Sequence, residues 1–86
     1  MYKIEYTKQA VKDVESTKVA KLDNKVKNLI EILRNNPFEK YPPYEKLIGD
    51  LLGAYSRRIN IHHRLVYMVF EKEKIVRILR MRTHYE

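Results

Sequence analysis

The last third of this chain restricts its topology more than any other segment. Ala54–Asn60, His63–Phe70 and Lys74–Arg82 are three runs rich in β-branched and aromatic residues, parted only by short polar breaks near Ile61-His62 and Glu71-Lys72-Glu73. Such breaks are too short for the crossover of about a dozen residues that a parallel connection requires, so an antiparallel meander is predicted. Alternate residues along a strand share a face. Arg80, Arg82 and His84 therefore fall on one side of the last run. A symmetric turn at Glu71-Lys72-Glu73 sets Arg64 opposite Arg80, and a tight preceding turn brings Arg58 near Arg64. Like charges opposed across strands are destabilising, so a face of this kind points either to full solvation or to an anionic partner.

Upstream, Tyr2–Tyr6 alternates in the manner of a short first strand, and Thr7 is placed to cap a helix. Ala10, Val11 and Val14 recur at helical spacing, predicting a helix that ends between Ser16 and Leu22. A second helix follows from the stripe Leu22, Val26, Leu29, Ile30 and Leu33, and it stops at Asn35-Asn36-Pro37 because proline disfavours helix in the residue before it. Pro37–Gly53 holds all three prolines and both glycines and is expected to be an ordered loop packed through Phe38, Tyr41 and Tyr44. The expected order is β-α-α-β-β-β: an α+β domain over residues 1–86, with two N-terminal helices on one face of a small, twisted, mainly antiparallel sheet.

The other sheet face is free for function, and the charge suggests what it meets. Lys and Arg number 18 against 11 Asp and Glu, a net +7, which favours an acidic partner such as nucleic acid, anionic lipid or acidic protein. Without cysteine there are no disulfides and no thiolate metal sites. The chain also lacks a glycine-rich phosphate loop, an HExxH pair and a Cys/His zinc pattern, so neither cofactor nor metal is expected. His62 and His63, as neighbours on extended chain, point to opposite faces and read as turn residues rather than a chelating pair. No run resembles a signal peptide or a membrane span, and a cytoplasmic location without membrane contact is expected.

RNA offers a reaction that needs only a base, an acid and a cation. A carboxylate takes the 2′-hydroxyl proton, the 2′-oxygen attacks the adjacent phosphorus, and an imidazolium protonates the departing 5′-oxygen. Arginine steadies the charge that gathers on the phosphoryl oxygens. Glu39 or Glu45 in the long loop, Arg64 in the sheet and His84 near the C-terminus are candidates for these roles. Tyr85 can stack on a base or bind phosphate.

Three stretches carry a family resemblance: PPYEKL (Pro42–Leu47), YSRRINIHHRLVY (Tyr55–Tyr67) and the closing THYE (Thr83–Glu86). Together they resemble the Txe/YoeB toxins of the RelE superfamily, the endoribonucleases of bacterial type II toxin–antitoxin systems. The resemblance implies a RelE-like fold with Glu45 as general base, His84 as general acid and Arg64 stabilising the transition-state phosphate. It also implies phosphate contact by Arg58 and placement of the scissile nucleotide by Tyr85, with Arg57, Arg80 and Arg82 completing an RNA-binding set.

Implied partners are messenger RNA in the ribosomal A site and a cognate antitoxin of the YefM/Axe kind, with a homodimer possible and operator DNA reached only through the antitoxin. The alternatives are an inhibitor of the same fold that acts by binding alone, as gyrase-poisoning relatives do, and a plain nucleic-acid-binding module. Two departures stand out. Many members read Pro-Glu-Pro-Leu-Lys around the base, whereas Lys46-Leu47-Ile48 follows Glu45 here, and His62 stands where glutamate or glutamine is common.

Overall fold

The computed structural model describes residues 1–81. Arg82, His84 and Tyr85 of the expected site lie outside the described residues. Strand β1 (Lys3–Tyr6) leads into helix α1 (Lys8–Val19) and then α2 (Asp23–Asn35). Four further strands follow: β2 (Tyr44–Lys46), β3 (Tyr55–Arg58), β4 (Arg64–Phe70) and β5 (Ile75–Arg80). They form one five-stranded sheet in the order β1-β5-β4-β3-β2. The meander β3-β4-β5 is antiparallel as expected. β1 joins it in parallel beside β5, because the chain returns to that edge only after crossing both helices.

Thr7 ties the helical layer to the sheet. Its hydroxyl accepts from Ala10 N at 3.0 Å, capping α1, and donates to Leu79 O of β5 at 2.8 Å. The buried stripe of α1 is Ala10, Asp13 and Thr17, while Val11, expected on that face, is exposed. Polar residues can fill the stripe because each has a partner: Asp13 accepts from Met81 N at 3.0 Å and Gln9 Nε2 at 2.9 Å, and the Thr17 hydroxyl donates to Val14 O. Leu22, Val26, Leu29, Ile30 and Leu33 are all buried as predicted, joining Leu65, Tyr67, Val76, Ile78 and Met81 in the core between helices and sheet.

Pro37–Gly53 is less loop-like than its prolines imply. Tyr44–Lys46 pairs antiparallel with β3, Tyr44 opposite Arg57 and Glu45 opposite Ser56, so the segment adds the fifth strand. A single 3₁₀ turn at Gly49–Leu51 and Gly53, at φ +95°, bring the chain back into β3. Phe38 and Tyr44 do pack, their rings 6.3 Å apart and each against Tyr55, whereas Tyr41 projects into solvent with 77% of its surface exposed.

Candidate active site

Alternation in β2, β3 and β4 assembles the site on the sheet face away from the helices. Cα pairing sets Glu45 across from Ser56, Ser56 across from Val66, and Arg58 across from Arg64. Residues opposed in this way share a face. Glu45, Ser56, Arg58 and Arg64 thus converge from three strands.

Arg64 is the hub. Its Nη2 donates to Glu45 Oε1 at 2.7 Å and its Nε to Ser56 Oγ at 2.6 Å. The Arg64 side chain is only 19% exposed, but that of Glu45 is 69% exposed. The pair is therefore a partly sheltered cation reaching a carboxylate that solvent and ligand can meet. A guanidinium has five N–H donors, so two fix its plane among the described residues and three stay available to an anion. Pro42, Pro43, Glu45, Arg58, Ile59, Asn60 and Arg64 line a cleft of about 440 Å³ on this face. Asn60 shapes its rim: its Oδ1 accepts from the backbone N–H groups of His62 at 2.9 Å and His63 at 2.7 Å, turning the chain from β3 into β4.

Of the residues expected from sequence, Glu45, Arg58 and Arg64 come together. Arg80 does not oppose Arg64: the four-residue turn at residues 71–74 sets Phe70 across from Ile75, a bulge between Val66 and Tyr67 shifts the β4–β5 register by one more, and Arg80 stands across from Val66. Ser56 and Asn60 were not anticipated. The spacing of Ser56 two residues before Arg58 contains the signal that places it on this face.

Arg57 is the clear correction. It was expected to touch RNA, but it points into the opposite side of the sheet and is 0% exposed. Its Nε donates to Tyr67 Oη at 2.9 Å, its Nη2 to Pro37 O at 3.0 Å and Glu39 O at 2.7 Å, and its Nη1 to Pro42 O. The guanidinium also lies 4.9 Å from the ring centre of Tyr44. Burial holds the Tyr67 phenol above its ordinary 10.0, while the charge and hydrogen bond of Arg57 act the other way.

A five-stranded sheet with two helices on one face and a glutamate–arginine cleft on the other defines a small toxin of the RelE/ParE superfamily. The chain belongs to the family described as YoeB-like toxin of bacterial type II toxin–antitoxin system, whose profile matches residues 6–85. Toxin YoeB of Synechocystis sp. is 36% identical over 66 residues, covering 77% of this chain and 74% of that protein. In three dimensions the chain is similar to a YoeB/ParE toxin from Agrobacterium tumefaciens, with a TM-score of 0.86 at 32% identity over 96% of this chain and 99% of that one. The heterotetrameric YoeB-YefM toxin-antitoxin complex from Staphylococcus aureus contains a chain matching at a TM-score of 0.81 and 33% identity over 99% of each.

Proposed function

We propose that the protein is the toxin of a type II toxin–antitoxin pair and acts as a ribosome-dependent messenger-RNA endonuclease by metal-free acid–base chemistry. The observation that carries this reading is the 2.7 Å contact between Glu45 and Arg64 at an open cleft, with Arg58 directly across from Arg64. Two arginines opposed on a sheet repel each other. A single carboxylate offsets part of that repulsion, and a phosphodiester entering the cleft offsets the rest.

In this mechanism a phosphate oxygen takes the free N–H groups of Arg64 and draws on Arg58. The Glu45 carboxylate accepts the 2′-hydroxyl proton, the 2′-oxygen to phosphorus bond forms, and the phosphorus to 5′-oxygen bond breaks. His84 is assigned the proton for the leaving 5′-oxygen, and Tyr85 the placement of the nucleotide. The products are a 2′,3′-cyclic phosphate and a 5′-hydroxyl. Arg80 and Arg82 are assigned to more distant phosphates, where positive charge contributes salt-dependent affinity.

The partner that silences it is proposed to be an acidic, YefM-like antitoxin segment that folds on binding to the basic surface. Support comes from the Staphylococcus aureus relatives, whose structures are a YoeB-YefM complex and a YoeB dimer. The decisive experiment is primer extension on a defined messenger RNA in a reconstituted translation system, with wild type, Glu45→Ala and His84→Ala. New 5′-hydroxyl ends at the A-site codon, only with wild type and ribosomes, are the expected result. Arrest without cleavage, the same for all three proteins, would replace catalysis with inhibition by binding.

A further inference from the structure

We infer that Arg57 is a positioning residue for the cleft, fixing the segment 37–43 so that Pro42, Pro43 and Glu45 stand at a set distance from Arg64. The inference rests on the reading of Glu45 as general base and adds what holds that base in place. Four of the five guanidinium N–H groups of Arg57 are spent on the protein, three of them on the carbonyls of Pro37, Glu39 and Pro42. These carbonyls sample the whole segment between the end of α2 and the start of β2. Among the described residues no carboxylate pairs with Arg57. The buried cation is instead balanced by carbonyl dipoles, the Tyr67 hydroxyl and the Tyr44 ring.

The segment's local hydrogen bonds, Glu39 N to Asn36 O and Phe38 N to Asn36 Oδ1, close turns within it. Beside the packing of Phe38 on Tyr44 and Tyr55, its hydrogen bonds to the sheet among the described residues run through Arg57 and through Tyr67 Oη, which lies 3.4 Å from Pro37 O. Pro42 both accepts from Arg57 and forms the cleft wall, and Glu45 follows three residues later on a strand of only three residues. Release of the segment therefore moves the wall and loosens the base from Arg64, whose own place is kept by its bond to Ser56. Lysine cannot replace this anchor. Its donors radiate from one nitrogen, whereas arginine spreads five over a plane wide enough to reach four acceptors.

The test is a double-mutant cycle of Arg57→Lys and Glu45→Ala, read as single-turnover cleavage on programmed ribosomes, with amide hydrogen exchange of the same proteins. Expected is a loss of about 10–100-fold in kcat for Arg57→Lys, with KM within about threefold, as for a displaced reacting group. In the Glu45→Ala background the same change adds less than about twofold, because the base it positions is already gone. Exchange in residues 38–46 rises while β4 and β5 stay protected. Should Arg57→Lys fail to fold, Tyr67→Phe, which removes one acceptor of the fan, enters the same cycle and is expected to show a smaller loss of the same pattern.

A folded Arg57→Lys with wild-type kcat overturns the inference, and so does an equal loss in both backgrounds, the signature of a reduced folded fraction. Cleavage that survives Glu45→Ala has a different meaning. It removes the base assignment and leaves the exchange pattern to decide whether Arg57 anchors the segment.

Discussion

Arg57 and Arg58 are consecutive residues of one short strand, and the sheet gives them opposite work. Arg58 is exposed, faces the like-charged Arg64 and lines the cleft. Arg57, one peptide away, is buried and held by three backbone carbonyls and the Tyr67 hydroxyl. Residue type is the same in both, so the difference is entirely one of alternation. On the outer face, charge is left partly uncompensated and can be completed by a ligand. On the inner face it is fully compensated and serves as a rivet between loop and sheet.

The strongest way to sharpen this contrast is to strip the outer face of its carboxylate. Glu45→Ala is expected to lower the cleavage rate by about 10²–10⁴-fold, the usual range for losing a general base. Its stability should change by less than about 1 kcal/mol, because the ion pair with Arg64 is exposed on the glutamate side. Thermal unfolding beside the cleavage assay reads both. A Glu45→Ala protein that unfolds far below wild type would mean that this face also carries structural weight.

Next in size is the effect of removing the inner cation. Arg57→Met keeps much of the length but leaves three carbonyls and the Tyr67 hydroxyl without their donor, and buried unsatisfied groups are costly. A destabilisation of about 2–4 kcal/mol is expected in chemical denaturation, a large part of the stability of so small a domain. The same substitution one position on, Arg58→Met, should shift stability by less than about 0.5 kcal/mol. Equal effects at the two positions would break the comparison outright.

Arg58→Ala tests the outer face more finely. Removing one of two opposed cations should leave the fold as stable as before or slightly more so, while weakening RNA binding. The dependence of binding on salt should become shallower by about one unit of log-log slope, as for loss of one phosphate contact. An unchanged slope would mean that Arg58 does not meet phosphate.

These two fates show how far the sequence could be read. Helix α2, the meander and the pairing of Arg58 with Arg64 follow from periodicity and short turns, which act over a few residues. Three features escaped for physical reasons. The three-residue strand β2 is hidden among prolines, and its existence depends on finding β3 as a partner. The four-residue turn at residues 71–74 and a one-residue bulge each shift the ladder by one, together moving Arg80 from Arg64 to Val66, and alternation alone cannot show where a ladder slips. Arg57 bonds to carbonyls 15, 18 and 20 residues away, and backbone acceptors leave no mark in the side-chain pattern. The glutamate at the cleft illustrates the converse: Glu39 and Glu45 were equal on composition, and the motif around Glu45 chose the one that contacts Arg64.

A milder change than Arg57→Met probes the inner rivet through its phenol. Tyr67→Phe keeps the ring in the aromatic stack with Tyr55 but deletes the oxygen that accepts from Arg57 Nε, at an expected cost of about 1 kcal/mol. Alkali then distinguishes the two proteins. The folded pKa of Tyr67 lies above 10.0, so between that value and the folded pKa the unfolded chain has released the proton that the native state retains. With fewer protons bound in the unfolded state, stability falls as pH rises. The contribution is whole below pH 10 and is lost as pH climbs through the folded pKa. Wild type should therefore lose stability more steeply than Tyr67→Phe in that window, while exposed tyrosines contribute alike to both. Because Arg57 acts to lower this pKa, Arg57→Met should push the Tyr67 titration further into alkali as long as the fold holds, and a shift toward neutral pH would mean that the cation and the phenol are not in contact.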